Sequence, residues 1–241
     1  MTVESLRAPL TSRFSDALTM ACDLHRTQVR KGTRIPYVAH LLGVASIALE
    51  HGADEDEAIA AVLHDAVEDQ GGATTATLIR EHFGARVADI VVACSDTDVV
   101  PKPPWKERKE RYIAHVESAS ASVRLVSASD KLHNARAILA DYRDIGEGLW
   151  ERFTGGRDGT LWYYRSLVSA FAKHEQSRLV EELDRVVGEL ETTARDVAQA
   201  KPEPARKDCK WCSNAARRDD DFCSDECMRN QLVEWTEPWD T

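Results

Sequence analysis

Four ionisable residues interrupt an otherwise apolar stretch at residues 61–69. They are His64, Asp65, Glu68 and Asp69, at positions i, i+1, i+4 and i+5. On a helix, this spacing predicts that Glu68 lies one turn beyond His64 and Asp69 one turn beyond Asp65. Burying an uncompensated carboxylate costs several kcal/mol, so three of them on a core helix predict a bound cation. The alternative is a solvated face with a chance His-Asp pair.

Two further segments carry residues suited to the same chemistry. Asp130 and Asn134 lie one turn apart in a segment whose apolar spacing predicts a buried helix. His40 lies at the start of another apolar helical stretch. A lone histidine in such a place is more often a core residue than a ligand. The presence of the other two groups favours the ligand interpretation here.

Four of the six cysteines form the pattern Cys209-x2-Cys212-x10-Cys223-x3-Cys227 near the end of the chain. Two closely spaced thiol pairs indicate tetrahedral zinc, and four thiolates leave no open position, which favours a structural site over a catalytic one. A Pro-punctuated charged stretch precedes them. We therefore expect a main domain over 1–198, a linker over 199–207 and a zinc module over 208–241.

The segments that carry these residues are predicted to be helices. Helical periodicity recurs along the chain and strand patterns are scarce, which predicts an all-α main body. The expected helices cover 14–22, 41–49, 57–67, 75–82, 85–94, 105–116, 123–142, 161–173 and 175–199. Prolines at 101, 103 and 104 separate two of them.

Composition narrows the class of protein. The chain has 31 Lys+Arg against 41 Asp+Glu, a net charge of −10, so nucleic acid is not expected as a partner. No apolar run reaches the roughly 18 residues of a membrane span, and residues 1–10 do not form a secretory signal. We expect a cytoplasmic protein with no membrane contact. Two interpretations of Trp211, Trp235 and Trp239 in the zinc module stay open: a surface for a protein partner, or packing against the main domain.

The residues and their order resemble the HD superfamily of metal-dependent phosphohydrolases. Within it, several segments over residues 13–175 resemble the hydrolase domain of RelA/SpoT homologues and the stand-alone small alarmone hydrolases. These segments are Gln28-Val29-Arg30-Lys31-Gly32 before Pro36-Tyr37, His64-Asp65 with Glu68-Asp69, Phe83-Gly84, and Asp130-Lys131-Leu132-His133-Asn134.

This resemblance implies an HD-domain helical bundle and a set of site residues. It implies one Mn²⁺ held by His40, His64, Asp65 and Asp130. It assigns activation of the attacking water to Glu68 and Asp69. It also assigns the nucleotide base to Arg30, with Lys31 nearby, and the ribose and phosphates to Asn134 and Arg136.

The implied reaction is hydrolysis of the 3′-pyrophosphate of guanosine or adenosine alarmones such as (p)ppGpp. Two departures from the family pattern leave the substrate open: Gln70 and Ala137 stand where the family usually has Thr. A second hypothesis is therefore an HD phosphatase acting on another phosphorylated nucleotide, such as NADPH losing its 2′-phosphate. A third is a nucleotide sensor without activity, whose zinc module binds a partner; the intact Glu68 and Asp69 argue against it.

Basic residues also concentrate around one helix start, and two interpretations are equally favoured. They could cover a polyphosphate, or they could form a solvated face in which Glu107 and Glu110 are interspersed. The residues are Lys102, Lys106, Arg108, Lys109 and Arg111.

Overall fold

The computed structural model describes the backbone of residues 10–95, 103–174 and 177–199, and side chains in these ranges up to 197. All of these side chains belong to the first of two units, Met1–Val197. The four cysteines of the predicted zinc module, the linker residues beyond 199 and Lys102 lie outside the described residues.

Helices make up nearly all of the regular structure in the described ranges. The α-helices are α1 Ser12–Leu24, α2 Val38–Glu50, α3 Glu55–Leu63, α4 Ala66–Asp69, α5 Ala73–Phe83, α6 Ala85–Cys94, α7 Trp105–Ser118, α8 Ala121–Ile145, α9 Gly156–Ala172 and α10 Arg178–Gln199. A 3-10 helix, Gly146–Arg152, joins α8 to α9. Outside the helices, the described residues form one isolated antiparallel bridge, Val29 with Pro36. The predicted all-α fold is confirmed.

Local chemistry fixes where several helices begin. Asp54 and Glu57 form a reciprocal capping box at the start of α3, with bonds of 2.9 and 3.0 Å. The Ser120 hydroxyl accepts from Val123 N at the start of α8. Gly84, at a φ of 92°, makes the sharp turn between α5 and α6. These caps set the entry points of helices that carry or support the site.

Two apolar cores lie on either side of the long helix α8. Helices α1 to α6 enclose the first core, to which α8 contributes Val123 and Val126. Helices α7, α9 and α10 and the 3-10 helix enclose the second, to which α8 contributes Leu132 and Ile138. Because α8 packs against both, a residue in its middle is fixed relative to α2 and α3.

The helix predicted over 57–67 is wrong in one respect that matters for the site. Helix α3 ends at Leu63, the chain turns at His64 and Asp65, and α4 follows. The His64 Nδ1 atom lies 2.9 Å from the carbonyl oxygen of Ala61. That carbonyl is the one Asp65 N–H would reach in an uninterrupted helix, so the side chain competes with the backbone at this point. The periodic apolar residues continue through the turn, which is why their pattern does not reveal it.

None of the helices that the structure describes is both long enough and apolar enough to cross a bilayer.

Candidate metal centre and active site

Two histidines and two aspartates from three parts of the chain converge between the two cores. His40 lies in the first turn of α2, His64 and Asp65 form the turn after α3, and Asp130 lies in the middle of α8. His40 Nε2 is 3.2 Å from Asp130 Oδ1 and 3.5 Å from Asp65 Oδ2. His64 Nε2 is 3.0 Å from Asp65 Oδ2 and 3.6 Å from Asp130 Oδ1. We call these four residues the buried cluster.

The donor atoms of the buried cluster suit a divalent cation. Ligand atoms about 2.1 Å from one ion lie roughly 3 to 3.5 Å from one another. His40, His64 and Asp65 alone already form a group that could hold a metal. His64 donates from Nδ1 to the Ala61 carbonyl, while its buried Nε2 has no hydrogen-bond partner among the described residues. A buried nitrogen that faces two carboxylates and lacks a partner is what a metal ligand requires.

The electrostatics of the cluster point the same way. Burial opposes a charge on His64, but Asp65 and Asp130 outweigh it and raise the pKa of His64. Burial likewise opposes ionisation of Asp65 and Asp130, yet the histidines, and for Asp130 also Lys131, lower the pKa of both carboxyls. Asp65 and Asp130 therefore stay ionised and stabilise positive charge between them, which is the place that a divalent cation would take in exchange for the proton of His64.

Each carboxylate is also held by a second partner. The Tyr37 hydroxyl donates to Asp65 Oδ2 at 2.6 Å, and burial together with Asp65 raises the pKa of Tyr37 so that it stays a donor. Lys131 Nζ donates to Asp130 Oδ2 at 2.6 Å. Burial alone would lower the pKa of Lys131, but Asp130 raises it, and the lysine stays charged. Outer partners of this kind orient metal ligands.

His133 contacts His40 from the side away from the carboxylates. Its Nδ1 lies 2.9 Å from His40 Nδ1. Burial, and then His40 and Arg30, lower the pKa of His133 to about 4. His133 is therefore neutral at physiological pH and has one nitrogen able to accept a hydrogen bond.

The two carboxylates predicted to activate water lie beside the cluster. Glu68 is half-buried and Asp69 is more exposed. Gln28 Nε2 donates to Asp69 Oδ2 at 2.8 Å. Partial burial raises the pKa of Asp69, with further contributions from Asp65 and Glu68, while the bond from Gln28 acts in the opposite direction. A carboxylate with a raised pKa is a better proton acceptor near neutral pH.

Gln28 is the centre of a small hydrogen-bond network that sequence reasoning missed. Its Oε1 accepts from Gln70 Nε2 and from His25 Nδ1, each at 2.6 Å. The His25 ring stacks on Tyr37, with centroids 5.3 Å apart. Gln70, which departs from the family pattern, thus has an internal partner.

The predicted substrate-binding residues divide into two groups. Arg30 Nη2 donates to Asn134 Oδ1 at 3.0 Å, and Asn134 Nδ2 donates to Asp130 Oδ1 at 2.5 Å, so both lie beside the cluster. Arg136 instead forms an ion pair with Glu182 of α10. Lys31 is exposed. The structure brings the first two to the site and leaves the last two outside these contacts.

The basic start of α7 is largely engaged with its own helix and with aromatic rings. Lys106 pairs with Glu110 and lies over the Trp162 ring, and Arg111 pairs with Glu107. Lys109 lies over the Tyr163 ring, 4.9 Å from its centroid. These contacts favour the solvated-face interpretation for Lys106 and Arg111.

A separate cavity of about 680 Å³ lies between the end of α2 and the starts of α8 and α10. His51, Arg124 and Arg178 are among its lining residues, and no residue of the buried cluster lines it.

Comparisons with known proteins match the chain to one family model and to several named relatives. The HD domain family model matches residues 17–161. The chain is 40% identical over 126 residues to the guanosine-3′,5′-bis(diphosphate) 3′-pyrophosphohydrolase of Xenopus tropicalis, covering 51% of this chain and 68% of that protein. It is 36% identical over 130 residues to the Homo sapiens enzyme of the same name, covering 53% of this chain and 70% of that protein.

The fold of this chain also resembles one solved structure, and the match covers nearly the whole length of that structure. It is described as a metazoan orthologue of SpoT that hydrolyses ppGpp and plays a role in starvation responses. The TM-score is 0.64 at 26% identity, and the match covers 76% of this chain and 98% of that one.

Proposed function

Because the chain belongs to the HD domain family, we propose that it is a metal-dependent pyrophosphohydrolase that removes the 3′-pyrophosphate of guanosine 3′,5′-bis(diphosphate). The observation that carries this proposal is the buried cluster, whose nitrogen and oxygen atoms approach one another to between 3.0 and 3.6 Å. The named relatives, at 36–40% identity, support the substrate. The adenosine counterpart belongs to the same proposal.

His40, His64, Asp65 and Asp130 would hold the ion, and we propose Mn²⁺. Mixed imidazole and carboxylate ligands suit a first-row divalent metal. When bound, the ion would polarise a phosphoryl oxygen and lower the pKa of a bound water.

Residues of the chain itself would accept the proton of the attacking water and bind the substrate. A water oxygen bonds to the phosphorus on the ribose 3′ oxygen, the bond from that phosphorus to the 3′ oxygen breaks, and pyrophosphate leaves. We assign Asp69 as the acceptor of the water proton, with Glu68 beside it. The ribose 3′ oxygen takes up a proton as it leaves. Arg30, which donates to Asn134, would contact the base, with Lys31 nearby, and Asn134 and Arg136 would hold the ribose and phosphates.

Three further proposals, on zinc, a protein partner and localisation, rest on sequence alone. We propose that Cys209, Cys212, Cys223 and Cys227 hold one structural Zn²⁺ and that this module offers a surface to a protein partner. The nucleotide substrate and the reduced thiols that such a site needs favour the cytosol. The zinc site, the partner surface and the cytosolic localisation stay predictions.

The direct test is to incubate the purified chain with Mn²⁺ and guanosine 3′,5′-bis(diphosphate) and to measure released pyrophosphate and guanosine diphosphate. We expect stoichiometric formation of both. NADPH, assayed in parallel, should release little phosphate, because the relatives at 36–40% identity are named for alarmone hydrolysis. A Mn²⁺-loaded protein that turns over no alarmone would overturn the substrate assignment.

A further inference from the structure

The two histidines of the buried cluster are held in different ways. His64 is fixed by its own chain, since its Nδ1 donates to the Ala61 carbonyl three residues earlier. His40 is fixed from another helix: its Nδ1 meets the Nδ1 of His133 on α8 at 2.9 Å. The orientation of one ligand is therefore local, and that of the other depends on a side chain 93 residues away in sequence.

The position of His133 depends on a glycine. Gly43 lies on α2, three residues after His40, and faces α8. A Cβ atom added there would lie 2.3 Å from Cδ2 and 2.4 Å from Nε2 of His133. No side chain fits at that distance, so any residue larger than glycine would displace the imidazole. The φ of Gly43 is helical, so the requirement for glycine here is one of space and not of backbone conformation.

The hydrogen-bond partners determine which nitrogen carries the proton in His40 and in His133. His40 Nε2 faces the carboxylates of Asp130 and Asp65, so it is the nitrogen that would bind an ion. A metal-bound imidazole nitrogen carries no proton, so the proton of His40 must lie on Nδ1. His133 Nδ1 is then the acceptor, and its own proton lies on Nε2.

Helix α8 therefore acts on the cluster twice. It supplies Asp130 as a ligand, and one turn later it supplies the acceptor that orients His40. Because both groups sit on one rigid helix that packs against α2, the ring plane of His40 is set relative to Asp130.

We propose that His133 is a positioning residue that fixes the tautomer and ring plane of His40 for metal binding, and that Gly43 provides the space it needs. This inference rests on the proposed function in that the buried cluster is taken as a metal site. It concerns the affinity of that site and not the identity of the nucleotide.

The test measures Mn²⁺ binding to the full chain by titration calorimetry, with thermal unfolding as the check on folding. Loss of an outer partner typically lowers metal affinity by about 10- to 100-fold. We expect His133→Phe, which keeps a ring but has no acceptor, to raise the Kd for Mn²⁺ within that range. His133→Asn restores an acceptor and should recover part of the affinity, which a purely structural role would not predict.

Gly43→Ala tests the positioning of His40 by His133 without altering any polar group. It should weaken Mn²⁺ binding in the same direction as His133→Phe, because the new methyl group displaces the imidazole. Gly188→Ala on α10 is the matched control, since the nearest atom there is 3.8 Å from the added Cβ, and Mn²⁺ affinity should not change.

The outcomes separate this inference from the proposed function. Wild-type affinity in a folded His133→Phe or Gly43→Ala variant overturns the positioning role, even if the enzyme hydrolyses the alarmone. If His133→Phe does not fold, Gly43→Ala decides the matter in the same way. Conversely, a wild-type chain that binds Mn²⁺ but hydrolyses no alarmone overturns only the substrate. A wild-type chain that binds no Mn²⁺ overturns the positioning role together with the metal site.

Discussion

The buried cluster and its exposed edge differ in how they are built. The cluster consists of residues on packed helices and on the turn between α3 and α4, with His40 and His64 only 1% and 3% exposed. The edge, which we call the rim, comprises Gln28, Arg30, Asp69 and Asn134, half-buried or exposed residues joined mainly through side-chain amides.

The two regions should therefore respond differently to mutation. In the cluster, removing one carboxylate leaves the other groups buried without the charge they were arranged around, so the loss should be close to complete. In the rim, each contact is one hydrogen bond among several, partly open to water, so the losses should be graded. Loss of a cluster carboxylate should therefore have a larger effect than loss of any rim contact.

Asp65→Asn should abolish both metal retention and activity. The substitution keeps the shape of the side chain but removes the negative charge that faces both histidines. Metal content after desalting, together with pyrophosphate release, measures the effect. Asp89→Asn is the control: Asp89 is an exposed carboxylate paired with Arg80, and both readouts should stay at the wild-type level. An Asp65→Asn protein that retains a full equivalent of Mn²⁺ would contradict the cluster as the metal site.

Removal of the metal should lower the thermal stability of the chain. A ligand at 100 times its Kd stabilises the folded state by about 2.7 kcal/mol. Since 1 kcal/mol shifts the Tm of a chain of this size by about 2–4 °C, saturating Mn²⁺ should raise the Tm by about 5–10 °C. The increase should be absent in Asp65→Asn. An equal rise in both proteins would mean that Mn²⁺ binds elsewhere.

Asn134→Ala tests the link between the two regions. Asn134 accepts from Arg30 and donates to Asp130, so it joins the rim to the cluster. Hydrogen bonds to charged groups are worth about 1.5–3 kcal/mol, which corresponds to roughly a 10- to 100-fold loss of kcat/KM. We expect most of this loss in KM, because Arg30 loses its support while all four cluster residues remain. A loss confined to Mn²⁺ affinity would instead place Asn134 with the cluster.

The contrast between cluster and rim also explains what the sequence could predict. His64, Asp65 and Asp130 stand out because ionisable residues in apolar segments need a compensating partner. Imidazole and carboxylate groups together indicate that this partner is a metal cation. The side chains that hold them do not stand out. Tyr37 and Asp65 are 28 residues apart, and Gln28 and Asp69 are 41 apart, so these contacts exist only once the helices have packed.

The turn at His64 shows a second limit of the sequence. Apolar periodicity predicts a continuous helix there, because the side chains before and after the turn are buried alike. At the interruption, the His64 side chain bonds to the Ala61 carbonyl, a local contact that the apolar pattern does not record. The sequence also gives no sign that position 43 must be glycine. That requirement arises only because the His133 imidazole packs against Gly43 in the folded protein.

The smallest effect should come from Gln28→Leu, and it should appear as a shift in pH and not as a loss of metal. The bond from Gln28 favours the ionised form of Asp69 and lowers its pKa, against burial and the neighbouring carboxylates. Without that bond the pKa of Asp69 rises further. Because Asp69 must be ionised to accept a proton, the acid limb of kcat/KM should move to higher pH.

The size of this shift and its control follow from the same contacts. One pKa unit corresponds to about 1.36 kcal/mol, near the lower end of the range for a hydrogen bond to a charged group, and Asp69 is exposed, so a shift of about one unit is expected. Gln70→Leu removes only the bond that Gln70 donates to Gln28, and its shift should be smaller. Mn²⁺ affinity should be unchanged in both variants. If activity fell equally at every pH in Gln28→Leu, the bond would serve the packing of the rim, and Asp69 would not be the group that sets the acid limb.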